Sequence, residues 1–502
     1  MRFVQPFPNG RNQEISLRPL QVFPIANPAD RLQLVGDEGD YVACLRSGES
    51  WRWNGGKWAS CTSRILRPGS RGNRGFLGYI NSAAAPALDV AGITELVTCE
   101  AGGPYYGIRV YMGCRSKASE AVVMEWQTTA ASGTSLATNA DINGQGLTFS
   151  NKLTWPANRA KSGDPTTGRF DSTNLSTSTV TFNGEVLAES DFIEMRSGAR
   201  VDIAGNYPTI VIRNHILPTT SGAGGTAVIK NRGGTSWFPA GSWNNNPLGQ
   251  KLWIRSMVGQ KLDAGVVGSS FTSTAEVSSH YIAGVAIYYV GGAINYVTVG
   301  GSTACGGRDT FFQGNNLSVA NEMTLHTGII HEYSFVGIAE VDSRSFREQV
   351  SSHFPYIRPD IVLVDCNDIG DLYAATSQAN ANAQFTTRTT RSGPTWVEDY
   401  TRSLNPDSFV MYRTGVPTGV GFPSIGDGDL VRKADNAEKL ANPYLEGRIS
   451  DFASQIGDGS SPREYLAPWA AGANNFHPSP AGFEANRPSV TEILKRNIYA
   501  NA

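Results

Sequence analysis

The stretch Ile294-Asn295-Tyr296-Val297-Thr298-Val299, followed at once by Gly300-Gly301-Ser302, decides the fold. The run is short, rich in β-branched and aromatic residues and free of charge, which reads as a strand buried on both faces. Downstream, Asp342 or Ser343 is placed to cap a helix whose Phe346, Val350 and Phe354 fall at i, i+4 and i+8. Ile361-Val362-Leu363-Val364 is a second buried strand and Ser408-Phe409-Val410-Met411-Tyr412 a third. Residues 435–455 read as a helix, and a last helix opens at Ser489, with Glu492 at capping-box spacing. Strands alternating with helices predict a parallel, doubly wound α/β sheet over residues 280–502.

The grammar upstream is different. Tyr106–Tyr111, Ala121–Trp126, Thr179–Phe182, Thr209–Arg213 and Lys251–Arg255 are strand-like runs separated by Gly, Ser, Thr and Asn clusters, so residues 75–275 are expected to form an all-β sandwich. Residues 131–178, polar and rich in Ser, Thr and Asn, suggest a long surface loop or a junction. Arg67 to Arg74 has the Arg, Gly and Pro content of a linker. Residues 1–66 form a small module in which Asn54-Gly55, between Ser50-Trp51-Arg52-Trp53 and Lys57-Trp58, signals a hairpin.

Composition agrees and excludes. The chain has 502 residues, long enough for about three domains. Its 55 glycines and 26 prolines make it turn-rich, while 10% aromatic content is too high for disorder. With 42 basic against 44 acidic residues the formal net charge is −2, and no basic run occurs, which argues against a nucleic-acid partner. No apolar stretch reaches the length of a membrane span, and the Pro-containing polar start does not read as a secretory signal. Cys44, Cys61, Cys99, Cys114, Cys305 and Cys366 form no close pairs of the metal-binding kind. Cys44 with Cys61 and Cys99 with Cys114 could close short loops under oxidising conditions; buried free thiols are the simpler reading. His326 and His331 lack a third ligand and are read as solvated or capping, so no metal and no cofactor is expected.

In a doubly wound sheet ligands bind beyond the carboxyl ends of the strands, where both Gly300-Gly301-Ser302 and Asp365-Cys366-Asn367-Asp368 lie. Ser302 becomes a nucleophile only if a base takes its proton and donors hold the oxyanion. Asn367 offers a side-chain N–H. Of six histidines, His477, in Asn474-Asn475-Phe476-His477-Pro478-Ser479-Pro480-Ala481-Gly482, sits in a loop ahead of the last helical region.

These residues resemble the SGNH (GDSL-type) hydrolases, a family of esterases and carbohydrate deacetylases with a flavodoxin-like three-layer sandwich. Gly300-Gly301-Ser302-Thr303 with Gly306 looks like block one, Gly337 the block-two glycine, Asn367 the block-three asparagine, and His477-Pro478-Ser479 block five. The order and the span of about 220 residues are those of the family's domain. The resemblance implies Ser302 as nucleophile, His477 as base, and an oxyanion hole from the Ser302 and Gly337 N–H groups with Asn367. Three positions depart: Gly301 stands for aspartate, Asp365 for glycine, and Asn474 for the triad aspartate. An asparagine orients imidazole but supplies no charge, which leaves a Ser–His dyad, a carboxylate borrowed from elsewhere such as Asp365, or a weakened enzyme.

The hairpin around Asn54-Gly55 resembles modules near the N-termini of bacteriophage tail fibres and tailspikes. Together the two resemblances imply a carboxylic ester hydrolase that removes acetyl groups from a bacterial surface polysaccharide, capsule or O-antigen. They imply a homotrimer carried in the phage virion tail beside other tail proteins and acting at the cell surface. An inactive receptor-binding fibre and a cellular carbohydrate acetylesterase are the alternatives. Trp237 and Trp243 are candidate sugar-stacking platforms, with core packing as the plainer role.

Overall fold

A computed structural model of the 502-residue chain describes residues 66–76, 103, 105–115, 185–194, 282–300, 315–337, 350–351, 353–365, 395–416, 426–457, 478 and 480–499. It also describes residue 34 and separate strands at 2–6, 12–16, 22–25, 41–44, 50–53, 58–60, 94–100, 121–129, 151–152, 209–217, 229–230, 251–257 and 279–280.

The centre of the molecule is a ten-stranded sheet. Its strands, in chain order, are β1 (Gly72–Phe76), β2 (Tyr105–Arg115), β3 (Glu185–Glu189), β4 (Ile193–Glu194), β5 (Ile282–Tyr289), β6 (Ala293–Gly300), β7 (Ile330–Gly337), β8 (Ile361–Asp365), β9 (Phe409–Arg413) and β10 (Ile449–Ser450). Their spatial order is β3-β2-β5-β1-β7-β6-β8-β9-β10, with β4 pairing β2. From β7 to β10 every pairing is parallel, and β1 is also parallel to β7. The run β7-β6-β8-β9-β10 takes its strands in the order second, first, third, fourth, fifth, the doubly wound arrangement expected from the sequence. Every residue of β6, β8 and β9 is buried, as predominantly apolar strands between two helical layers must be.

The crossovers that make the strands parallel are helical. They include α1 (Asn315–Thr327), the helical turns at 350–351 and 353–357, α2 (Trp396–Leu404) and α3 (Gly426–Leu440). Beyond β10 come α4 (Phe452–Ile456) and α5 (Pro480–Asn497), and α5 packs on α1, α4 and β10. Val350 and Phe354 are fully buried, as their spacing predicts. Thr395 caps α2, its hydroxyl accepting from the Glu398 N–H at 3.1 Å.

Four sequence expectations are corrected. Residues 67–74 are no simple linker: β1 joins the sheet, with Asn73 and Arg74 fully buried. Burial of so polar a strand is possible because Arg74 donates to Glu332 through Nε at 2.9 Å and Nη2 at 2.6 Å. The Asn73 backbone N–H donates to the Asn295 side chain at 2.8 Å. The helix at 435–455 is not one element, since α3 ends at Leu440 and β10 intervenes. Asn442-Pro443 starts a separate short turn, and Gly447, at φ 75°, turns the chain into the strand. Ser489 does not open the last helix, which runs through Pro488 from Pro480; the Ser489 hydroxyl accepts from Ser450 at 2.8 Å. His331 is neither solvated nor capping. It is fully buried, with Nε2 2.6 Å from the Tyr499 hydroxyl and Nδ1 2.8 Å from the Ile329 carbonyl.

From the upstream region, β2 and β3 extend the sheet in antiparallel fashion beyond β5. A second, five-stranded antiparallel sheet contains Thr94–Glu100, Ala121–Thr129, Thr209–Leu217 and Lys251–Met257. Near the N-terminus, Ser50–Trp53 and Trp58–Ser60 pair antiparallel across Asn54-Gly55, with Trp53 opposite Trp58. The Thr179–Phe182 expectation lies outside the described residues.

Candidate active site at the carboxyl edge

The topology brings the flanks of the candidate residues to one edge of the sheet. β6 and β7 run in register to their last residues, so Gly300 and Gly337 lie side by side at the carboxyl end. On the other side of β6, Val299 pairs with Val364, and β8 ends one residue later at Asp365. The chain leaves β6 for β7 on one side and returns to β8 on the other, which makes the β6–β8 boundary the switch point where doubly wound sheets hold ligands. Ser302 follows Gly300 by two residues and Asn367 follows Asp365 by two.

The fourth flank arrives from α5. Phe483, in its first turn, packs with Val416, Phe452 and Ile456. Val416 lies just past the end of β9 and Phe452 just past the end of β10. The start of α5 is therefore anchored at the carboxyl edge. A hydrogen bond of 2.5 Å from Ser318, in the first turn of α1, to Glu484 ties it to the helix that follows β6. Pro478, two residues ahead of α5, is buried. His477 immediately precedes it.

Ser302, Asn367, Asn474, His477, Trp237 and Trp243 lie outside the described residues, whereas the Gly337 backbone is described as the last residue of β7. Asp365, the alternative carboxylate, is buried, and its Oδ1 accepts from Arg413 Nε at 2.6 Å. Its Oδ2 has no hydrogen-bond partner among the described residues. Arg413 is fully buried, with its guanidinium 5.0 Å from the Phe452 ring centroid. Although burial works against its charge, Asp365 holds the guanidinium pKa above the ordinary arginine value. Sequence reading missed this arginine because it ends an otherwise apolar strand; an arginine directly after a Phe-Val-Met-Tyr run was the available signal.

The described residues thus define the class of protein: a doubly wound α/β sheet whose switch-point edge gathers two glycine-ended strands, an Asp–Arg pair and a helix start. Comparison with known proteins finds similar solved structures over about two fifths of the chain. One is a lipolytic protein of the G-D-S-L family from Desulfitobacterium hafniense, 14% identical, with 40% of this chain and 99% of that one covered and a TM-score of 0.30. Another is an acylhydrolase from Bacteroides fragilis, 16% identical, covering 40% and 86% at a TM-score of 0.30. A third is an acetyl xylan esterase variant from Geobacillus stearothermophilus, 17% identical, covering 40% and 94% at a TM-score of 0.27. No family profile and no curated protein matches the sequence.

Proposed function

We propose that this protein is a serine esterase that removes acetyl groups from a polysaccharide. The observation that carries the reading is the convergence of Gly300, Gly337, Asp365 and the start of α5 on one edge. Each is the described flank of one member of the Ser302, Gly337, Asn367 and His477 set. Ser302 Oγ attacks the acetyl carbonyl while His477 takes its proton. The Ser302 and Gly337 backbone N–H groups and the Asn367 amide hold the oxyanion. The sugar hydroxyl leaves with the proton from His477, and water, deprotonated by His477, releases acetate from the acetyl-serine. Asn474 orients the imidazole in place of an aspartate. We further propose that the polymer is a bacterial capsule or O-antigen and that the chain is a trimeric tail protein of a phage virion, with Trp237 and Trp243 offering stacking surfaces to the sugar.

Acetate release from acetylated bacterial polysaccharide, measured for the wild type and Ser302→Ala, tests the reading. Release that disappears in the variant supports it. If Asn474 stands in the triad position, Asn474→Asp raises kcat by about tenfold or more, because an anion then stabilises the imidazolium. That same asparagine favours a second reading, a receptor-binding fibre with an inactive site. Absence of acetate release from the polymer that the protein binds would decide for it.

A further inference from the structure

The opposite, amino edge of the sheet carries a cleft that the esterase reading does not use. Its volume is about 580 Å³ and its walls include Arg71, Arg109, Tyr288, Tyr356, Arg358 and Asp360. It opens beside Asn295, the third residue of β6, and Asp360, which immediately precedes β8. Along β6 this is roughly 16 Å from Gly300.

The charges lining it are unbalanced, and two of its three guanidiniums are held in place. Arg71 is held by the Glu189 carboxylate and the Tyr356 carbonyl. Arg109 donates through Nε to the Tyr288 hydroxyl at 3.1 Å and through Nη1 to the Ser190 carbonyl at 2.8 Å. Its Nε also lies 3.5 Å from the Glu189 carboxylate and its guanidinium 6.0 Å from the Phe192 ring centroid, while Nη2 has no hydrogen-bond partner among the described residues. Arg358 is exposed, sits at φ 47°, and makes no ion pair among the described residues. Three guanidiniums thus face two carboxyls, Glu189 and Asp360. Asp360 is itself drawn toward the neutral form by burial, to a pKa of about 6.

An aromatic surface continues the cleft. The Phe192 ring stands edge-on to Tyr288 with centroids 4.9 Å apart, and Tyr106 reaches Tyr288 at 5.9 Å. Phe192 and Tyr106 are 38% and 41% exposed, unusual for rings that already touch a third aromatic. Phe192 lies so close over Gly107 that any side chain there would collide with its ring. Exposed rings beside fixed polar groups suit a pyranose, whose C–H face is apolar and whose rim is hydroxylated.

We propose that this cleft binds an acidic oligosaccharide, with sugar faces on Phe192 and Tyr106 and a sugar carboxylate at Arg109 and Arg358. The proposal rests on the reading above only in taking the ligand from the same class of polymer, and it places this contact at the edge remote from Ser302. Titration calorimetry of the full chain with a galacturonate hexamer, a hyaluronan hexasaccharide and neutral maltohexaose tests it. At least one acidic probe binds, about tenfold or more tighter than maltohexaose, and Arg358→Ala and Phe192→Ala each weaken it about tenfold. Arg358 is exposed and its side chain makes no hydrogen bond or ion pair among the described residues, so an unchanged urea midpoint of its variant separates binding from stability. Ser302→Ala leaves the affinity unchanged, so loss of acetate release and loss of this binding are independent results. Failure of both acidic probes to bind, equal binding of maltohexaose, or affinity unchanged in both variants would overturn the proposal.

Discussion

The two edges of the central sheet are built on opposite principles. At the carboxyl edge β6 and β7 end together on Gly300 and Gly337, two paired residues without side chains. At the amino edge side chains tie the strands to one another. Asp360 accepts from the Asn295 N–H at 2.7 Å and from Asn405 at 3.0 Å, and Asn73 donates to Asn295 at 3.0 Å and to the Ile357 carbonyl at 3.1 Å. Glu332 gathers Arg74 and Tyr289, and His331 is locked to Tyr499. Buried polar groups satisfied in this way hold register and spacing, leaving the far edge free to carry loops. Substitutions should therefore separate: changes in the loops beyond the carboxyl edge alter rate, and changes in the amino-edge network alter stability.

The largest expected effect is on rate. Ser302→Ala lowers kcat for acetate release by about 10³-fold or more, while its unfolding midpoint in urea stays at the wild-type value. An equal loss of stability would break the division between edges.

Next comes Glu332→Gln. The change keeps shape but leaves the Arg74 guanidinium, 1% exposed, without its carboxylate. Removing one member of a buried pair costs about 3–5 kcal/mol, read as a fall in the urea midpoint with an unchanged slope. Esterase activity of the folded fraction should be retained.

The third prediction uses two amino-edge groups that burial pushes toward neutrality. His331 is lowered to a pKa of about 4 by burial, against 6.5 for a free histidine, so the folded state binds fewer protons between those values. Its contribution to stability is complete above 6.5 and is lost as pH falls toward 4. Asp360 is raised to about 6 by burial, against 3.8, so its contribution is complete below 3.8 and is lost as pH rises through 6. The two slopes oppose each other across a shared window from about pH 4 to 6, each worth up to about 3 kcal/mol. Relative to wild type, Asp360→Asn should lose stability more steeply on acidification, and His331→Gln should lose it more steeply as pH rises from 4 to 6. Unfolding midpoints at intervals across this range check both signs; parallel curves for all three proteins would refute the assignment.

These residues also show what the sequence could reveal. β6, β8 and β9 were legible because a short run rich in β-branched, aromatic and aliphatic residues has few other interpretations. The carboxyl-edge site was legible in part, because Gly300-Gly301-Ser302 and Asn367 sit directly beyond such runs. The amino edge was not. Arg71 and Arg74 lie in a stretch whose composition is that of a linker, and only Glu332 and Glu189, 258 and 118 residues further on, turn those arginines into buried or part-buried groups. Long-range pairing leaves no local pattern. β10 was hidden for another reason: its two residues are too short for periodicity to register. Ser489 misled because its spacing to Glu492 fits a capping box, although the helix already runs from Pro480 through Pro488.

The smallest predicted effect tests whether charge pairing or burial gives the amino edge its strength. On the outer layer, Glu322 of α1 bonds Arg487 and Lys495 of α5, each at 2.7 Å. The geometry rivals that of Arg74 and Glu332, but these side chains are 26%, 39% and 35% exposed. Water and salt screen such pairs, so Glu322→Gln should cost about 1 kcal/mol or less. Raising the ionic strength to about 1 M, where the Debye length is about 3 Å, should erase most of that difference. The Glu332→Gln difference should persist in the same buffer, because no counter-ion reaches a pair that is 1% exposed on both sides. Matched urea titrations of both variants at low and high salt make the measurement. If salt removed both differences alike, solvent would have to reach the amino-edge pair, and the contrast between a sealed edge and an open one would fail.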